Sequence, residues 1–258
     1  MKGYFVIRTY EAGDIGEKYK YFIPSATGRP KSAKKLQSDI RKQAQNDYAA
    51  QKQLARIINA NFGAGAFFLG FDYDEESFEK LCPKDFEDDE DRLYKIRKAA
   101  EARANLCIRR ARRMCAKAGI ELKYVLVTSD MDADTGESVR VHHHAVTSRE
   151  AGEILAKCWQ EGNVNKKPLR NQKDFTDLAE YMLRQVRKVK NAKAYTRSRN
   201  LIVPKPKDRV VPSGSEIRLP KGAKLLYRRE YSRSAPQYIR YIIAERADET
   251  ILSGRADE

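Results

Sequence analysis

All three histidines of the chain stand in consecutive positions, His142, His143 and His144, within the run VRVHHHAVT at residues 139–147. The run reads as one β-strand, and side chains alternate across a strand. Val139, Val141, His143 and Ala145 then share one face, which is mostly apolar and suits a core. Arg140, His142, His144 and Val146 share the other. The period therefore pairs His142 with His144, roughly 7 Å apart along the chain by strand rise. Both rings can turn onto one divalent ion, for which imidazole is a common ligand. Two histidines in a strand are more often just part of a polar face. The clustering of every histidine here favours the metal.

A second reactive group stands on a helix expected over residues 174–190, with Asp174 able to cap it. Its apolar stripe is Phe175, Leu178, Met182, Val186 and Val189. At about 100° per residue, Tyr181, Arg184, Gln185 and Lys188 fall along one flank. Tyr181 and Gln185 are i, i+4 neighbours, about 6 Å apart. A tyrosine at the edge of an apolar stripe is usually packing, but this one has a cation one turn on and an amide oxygen beside it. A phenol, with an ordinary pKa of about 10, is a weak nucleophile at neutral pH. Nearby cations favour the phenolate, and a metal polarises a phosphate under attack. These groups suit tyrosine attack on a DNA phosphodiester. Such attack leaves a 5′-phosphotyrosine and a free 3′-hydroxyl, and retains the bond energy needed to rejoin ends.

The bulk composition agrees with a nucleic-acid partner. The chain has 258 residues, 41% of them hydrophobic, and a net charge of +15. That excess calls for a polyanion. No long apolar run and no signal-like opening are present, so the expected place is the cytoplasm, that of a bacterial host. Cys82, Cys107, Cys115 and Cys158 show no CxxC spacing and read as reduced thiols.

Elements that could position these groups follow in order. Residues 32–61 form a long helix, either solvated or facing DNA. AFFLGFDY at 66–73 is a strand buried on both faces. A helix at 86–118 starts acidic and ends basic, as its dipole favours; its RRARR segment reads as a solvated face, with DNA contact the lesser alternative. IELKYVLVT at 120–128 is a strand that forms a hairpin with the histidine strand through SDMDADTGE. That turn resembles a calcium loop, but its glycine is one position late and Val141 stands where the bidentate acid belongs. Ser148 can cap a helix to about 159, and 162–169 is a short strand. The order is βαββαβ plus a helix. It implies an α+β fold with a ferredoxin/RRM-like antiparallel sheet, helices on one face and an open DNA-binding face carrying His142 and His144. The expected division is 1–62 as an N-terminal segment with the long helix, 63–205 as the endonuclease domain, and 206–258 as a β-rich appendage and tail. The segment AYTRSRNLIVPKPK is basic and hydroxyl-rich, which suits phosphate contact.

QKQLARIINANF leading into FFLGFDY, the histidine strand, CWQEGNVNKKPL, the helix of Tyr181 and YTRSRNLIVPKP together resemble, in order and spacing, the HUH endonucleases. Within that family the likeness is to rolling-circle replication initiators of the filamentous-phage gene II type and their plasmid and prophage relatives. It covers roughly residues 40–205. The resemblance implies that His142 and His144 bind Mg²⁺ or Mn²⁺ and that Tyr181 is the nucleophile. Arg184 stands where the family usually has the lysine of Y-x-x-K, which keeps the charge but changes its geometry. Lys188, one turn further, can share that role. The third metal ligand is open between Gln185, which is preferred, and the position of Ser129 and Asp130. Tyr195 is the spare nucleophile. Arg140, Tyr195, Arg197 and Arg199 are the expected DNA contacts. The partners implied are single-stranded or supercoiled origin DNA and a host helicase and polymerase, since the chain has no Walker-type loop. A relaxase or single-tyrosine transposase would use the same chemistry. A non-catalytic nucleic-acid-binding protein would suit the charge, but would leave the pairing of His142 and His144 with Tyr181 unexplained.

Overall fold

Alternating and continuous apolar runs, punctuated by turns, become ten strands and five helices among the described residues. The computed structural model describes residues 3–24, 35–187, 193–232 and 236–244, with only the backbone given for 35–44. In chain order the elements are β1 (Gly3–Ala12), β2 (Ile15–Pro24), α1 (Lys35–Asn61), β3 (Phe67–Phe71), α2 (Glu75–Glu79), α3 (Asp89–Lys117), β4 (Tyr124–Met131) and β5 (Ser138–Thr147). They continue with α4 (Arg149–Cys158), β6 (Val164–Pro168), α5 (Thr176–Arg184), β7 (Thr196–Arg197), β8 (Lys207–Val211), β9 (Lys224–Arg229) and β10 (Gln237–Ile242). The chain divides into two units, Ser32–Val203 and a second made of Met1–Lys31 with Pro204–Glu258.

The Ser32–Val203 unit is α+β, with the expected βαββαβ order carried by β3, α3, β4, β5, α4 and β6. Its antiparallel sheet runs β6-β3-β5-β4-β7. The first and third strands of the pattern sit at the centre, as in a ferredoxin-like sheet, and β7 adds to the outer edge of β4. The histidine strand β5 is thus flanked on both sides and held in register. Helices α3 and α4 cover one face, where Phe67, Leu69 and Ala145 pack with Ala100, Ile108 and Leu155. On the other face Val125, Val127 and Val146 pack with Leu54, Ile57 and Ile58 of α1 and with Met182 and Leu183 of α5. The expectation of a wholly open second face is corrected accordingly. A strand such as β4, apolar on both sides, requires cover on both.

The division at 62 and 206 is also corrected. The two ends of the chain do not form separate appendages. They pair into a second antiparallel sheet, ordered β8-β1-β2-β10-β9. Phe5 faces Val211 across β1 and β8, and Ile239 faces Lys18 across β10 and β2. Ile7, Val211, Ile217, Ile239 and Tyr241 form the core of this unit. Helix α1, expected to go with the N-terminal segment, belongs to the other unit because its apolar stripe has its partners there.

The helix expected over 174–190 ends at Arg184, with Gln185 as its C-cap. The reason is tertiary: the Gln185 carbonyl accepts from the backbone N–H groups of Asp130 (3.0 Å) and Met131 (3.1 Å) at the irregular end of β4. The N-cap of α5 falls on Phe175, not on Asp174 as expected; Asp174 stands one residue earlier and accepts from the Thr176 N–H at 3.0 Å. Ser148 takes the N-cap position of α4, but its side chain makes no capping bond. In the turn before β5, Asp132 Oδ1 accepts from the N–H groups of Asp134 and Thr135, so this carboxylate shapes the turn. All four cysteines are free thiols. Among the described residues no helix is long and apolar enough to cross a membrane.

Candidate metal and tyrosine site

The strand phase places the histidines as the alternation required. Val141, His143 and Ala145 face α3 and α4, while Val146 and His144 face α1 and α5. His143 is fully buried, and both of its ring nitrogens have partners. Nε2 is 2.8 Å from the Tyr73 hydroxyl and Nδ1 is 3.1 Å from Thr128 Oγ1. Burial, followed by the neighbouring His142 and His144, pushes its pKa down to about 3. It is a core residue and not a ligand.

On the opposite face three atoms converge. His142 Nε2 and His144 Nε2 are 3.1 Å apart, and Gln185 Oε1 lies 3.4 Å from the first and 3.2 Å from the second. Gln185 is held in place because its amide Nε2 donates to the Tyr181 carbonyl at 3.2 Å, which turns Oε1 toward the histidines. His142 Nδ1 is 3.0 Å from the Arg140 carbonyl. A carbonyl only accepts, so Nδ1 carries the hydrogen and Nε2 presents a lone pair. Burial and the adjacent His142 push the His144 pKa down to about 4, so its ring is neutral at pH 7. Two acceptors, His142 Nε2 and Gln185 Oε1, therefore face His144 Nε2. A proton on that nitrogen satisfies them in the metal-free protein, whereas one cation satisfies all three atoms together. Three ligands on an ion at 2.0–2.1 Å are about 3.0 Å apart in octahedral geometry and about 3.4 Å apart in tetrahedral geometry. The observed triangle matches that range. One further buried polar atom here, Ser129 Oγ, has no hydrogen-bond partner among the described residues, and Ser129 stands directly across the β4–β5 ladder from His142. Among the described residues no group of three or more His, Cys, Asp and Glu is placed to hold a metal. The donor set at this centre is two imidazoles and an amide.

Phe68 of β3 connects this centre to the tyrosine. Its ring stacks on His144 at 4.9 Å and meets the Tyr181 ring edge-on at 6.3 Å. Tyr181 lies 6.0 Å from His144 between ring centres and is 39% exposed, so its side chain is open to solvent. Arg184 is exposed in the last turn of α5. Lys188 lies outside the described residues.

Asp130, weighed with Ser129 for the third ligand, is used elsewhere. It is 5% exposed, and its carboxylate accepts from Arg97 Nη1 at 2.9 Å and from the Arg187 backbone N–H at 3.0 Å. The Asp130 side chain thus ties β4, α3 and the chain after α5 together, while its backbone holds Gln185. The spacing of residues does not reveal this anchor; its only trace in the sequence is an acid beside an expected ligand.

The expected DNA contacts are not gathered around His142, His144 and Gln185. Arg140 pairs with Glu75 at 2.8 Å and packs over the Phe78 ring, so its guanidinium secures α2. Tyr195 is partly buried, which raises its pKa, and it lines a small cavity with Arg97 and Asn105. No hydrogen bond or ring contact links it to His142, His144 or Gln185 among the described residues. Arg197, on β7, pairs with Val125 of β4. That is four positions along β4 from Ser129, roughly 13 Å by strand rise.

Compared with family models, with curated proteins and with solved structures, the chain matches none of them.

Proposed function

We propose that this chain is a metal-dependent tyrosine nickase of the HUH type that initiates rolling-circle replication on single-stranded origin DNA. The observation that carries this reading is the convergence of His142 Nε2, His144 Nε2 and Gln185 Oε1 within 3.4 Å beside the exposed Tyr181. A bound Mg²⁺ or Mn²⁺ would supply Lewis-acid polarisation of the scissile phosphate. The chain's own residues do the rest. His142, His144 and Gln185 form the cradle, and Phe68 holds the His144 and Tyr181 rings in their relative places. Tyr181 Oη forms a bond to phosphorus as the bond to the 3′-oxygen breaks. The phenol's proton is balanced by the one taken up at the 3′-oxygen, which leaves a 3′-hydroxyl primer. The reverse step rejoins the ends. Arg184, one turn from Tyr181, is the cation nearest in sequence for the phosphate charge. Unwinding and synthesis fall to a host helicase and polymerase, in the bacterial cytoplasm.

The test is incubation of the protein with labelled single-stranded DNA from its own origin region and Mn²⁺, read on denaturing gels. A covalent protein–DNA band lost in both Tyr181→Phe and EDTA is the expected result. Tight, metal-independent binding without any covalent band would instead favour a non-catalytic binder.

A further inference from the structure

The C-terminal half of α3 carries Arg109, Arg110, Arg112, Arg113 and Lys117. In the structure Arg112 forms one wall of a cleft of about 610 Å³, and Arg197, Arg199 and Asn200 form the facing wall. The floor is apolar, with Leu122 and Tyr124. Among the described residues no carboxylate lines it. Among the described residues none of the three arginines has an ion-pair partner; Arg112 reaches the Tyr124 phenol, and Arg197 donates to the Ser198 carbonyl at 3.4 Å. The one acid tied to this wall, Glu121, is engaged by Asn200 at 3.0 Å and Lys123 at 3.1 Å. A smaller cavity follows along the same stripe of α3, where Asn105 faces Lys193 and Thr196. Three uncompensated guanidinium groups around one cleft repel each other unless an anion sits among them.

The cleft is not part of the nicking site. Leu122 and Tyr124 belong to the core on the α3 side of the sheet, whereas His144 packs with Tyr181 on the α5 side. The ligand class follows from the lining. Its one ring, Tyr124, is only 7% exposed, so the cleft offers no platform on which unpaired bases stack. Arginines and an amide without stacking rings suit backbone phosphates. We propose that this cleft grips the sugar–phosphate backbone of duplex DNA flanking the nick, separately from the strand at Tyr181. This rests on the reading of DNA as the partner.

The experiment compares duplex binding by the full chain and by a triple variant, Arg112→Gln with Arg197→Gln and Arg199→Gln, by fluorescence anisotropy over a salt series. A control variant loses the same charge at exposed Arg170, Lys221 and Lys224. The expected result for the triple variant is a tenfold or greater loss of duplex affinity at low salt. Its log–log salt slope should be shallower by about 2.7, from about 0.9 per phosphate contact. Covalent-band yield on single-stranded DNA should be unchanged. Duplex affinity equal to the parent, or an equal loss in the control, would overturn the proposal; so would a loss confined to single strands. If the triple variant fails to fold, Arg199→Glu, a change at an exposed side chain, carries the test: a several-fold loss supports the cleft and no change overturns it. Absence of a covalent band in every protein, with the duplex loss intact, would overturn the nickase and leave the cleft standing.

Discussion

In the proposed metal site, Gln185 sets what the two histidines would hold. An imidazole pair is a weak centre, and the amide oxygen at 3.2 and 3.4 Å makes it a three-sided one. Replacing Gln185 by Glu adds a negative charge at the same reach and should tighten Mn²⁺ binding several-fold by titration calorimetry, since ligand charge tunes the affinity of oxygen sites. Unchanged affinity would remove Gln185 from the ligand set. His142→Ala should weaken Mn²⁺ binding by more than tenfold and abolish the covalent band, while salt-sensitive DNA binding persists. Alternation along the strand picks out His142 and His144 in the sequence, and helical spacing picks out Gln185 beside Tyr181. Phe68 is not visible there, because its place beside His144 depends on strand register, which a single strand does not reveal.

At the scale of elements, β5 carries a polar group on each face, and its inward one is a test of phase. His143→Ala removes the hydrogen bonds to Tyr73 and Thr128 and leaves a small void. A cost of about 2–3 kcal/mol is expected, seen as a melting temperature lower by about 5–10 °C, with metal affinity retained. A loss confined to metal binding would contradict the strand phase. The end of β4 sets the end of α5. Removing the Asp130 carboxylate leaves Arg97, itself 4% exposed, without its buried partner. Asp130→Ala should therefore cost about 3–5 kcal/mol, measured by denaturant unfolding. It should also weaken Mn²⁺ binding through the loosened Gln185, and normal affinity would show that the ligand is held independently. The βαββαβ order is legible in the sequence because each run has its own period. The stop of α5 at Arg184 is not, because apolar spacing continues through Val186 and Val189 and the interruption comes from a different strand.

Across the whole molecule, the charge of +15 points to a polyanion from composition alone. The pairing of the two chain ends does not show in the sequence. Arg8 and Asp208 bond across β1 and β8 at a separation of 200 residues, and neither end carries a local trace of its partner. Each end alone therefore looks like an appendage. The cores of the Ser32–Val203 unit draw on residues of that unit alone. Residues 32–203 expressed without the ends should melt cooperatively and still form the covalent band. A fragment that does not fold would show that the terminal sheet is required for the nicking unit.

The most direct measurement is the position of the covalent bond itself. The full chain would be reacted with single-stranded origin DNA and Mn²⁺, digested with nuclease and protease, and read by tandem mass spectrometry. A nucleotide phosphate on the phenol of Tyr181 is the expected result. A phosphate on Tyr195, or on any side chain other than Tyr181, would contradict the assignment of the site.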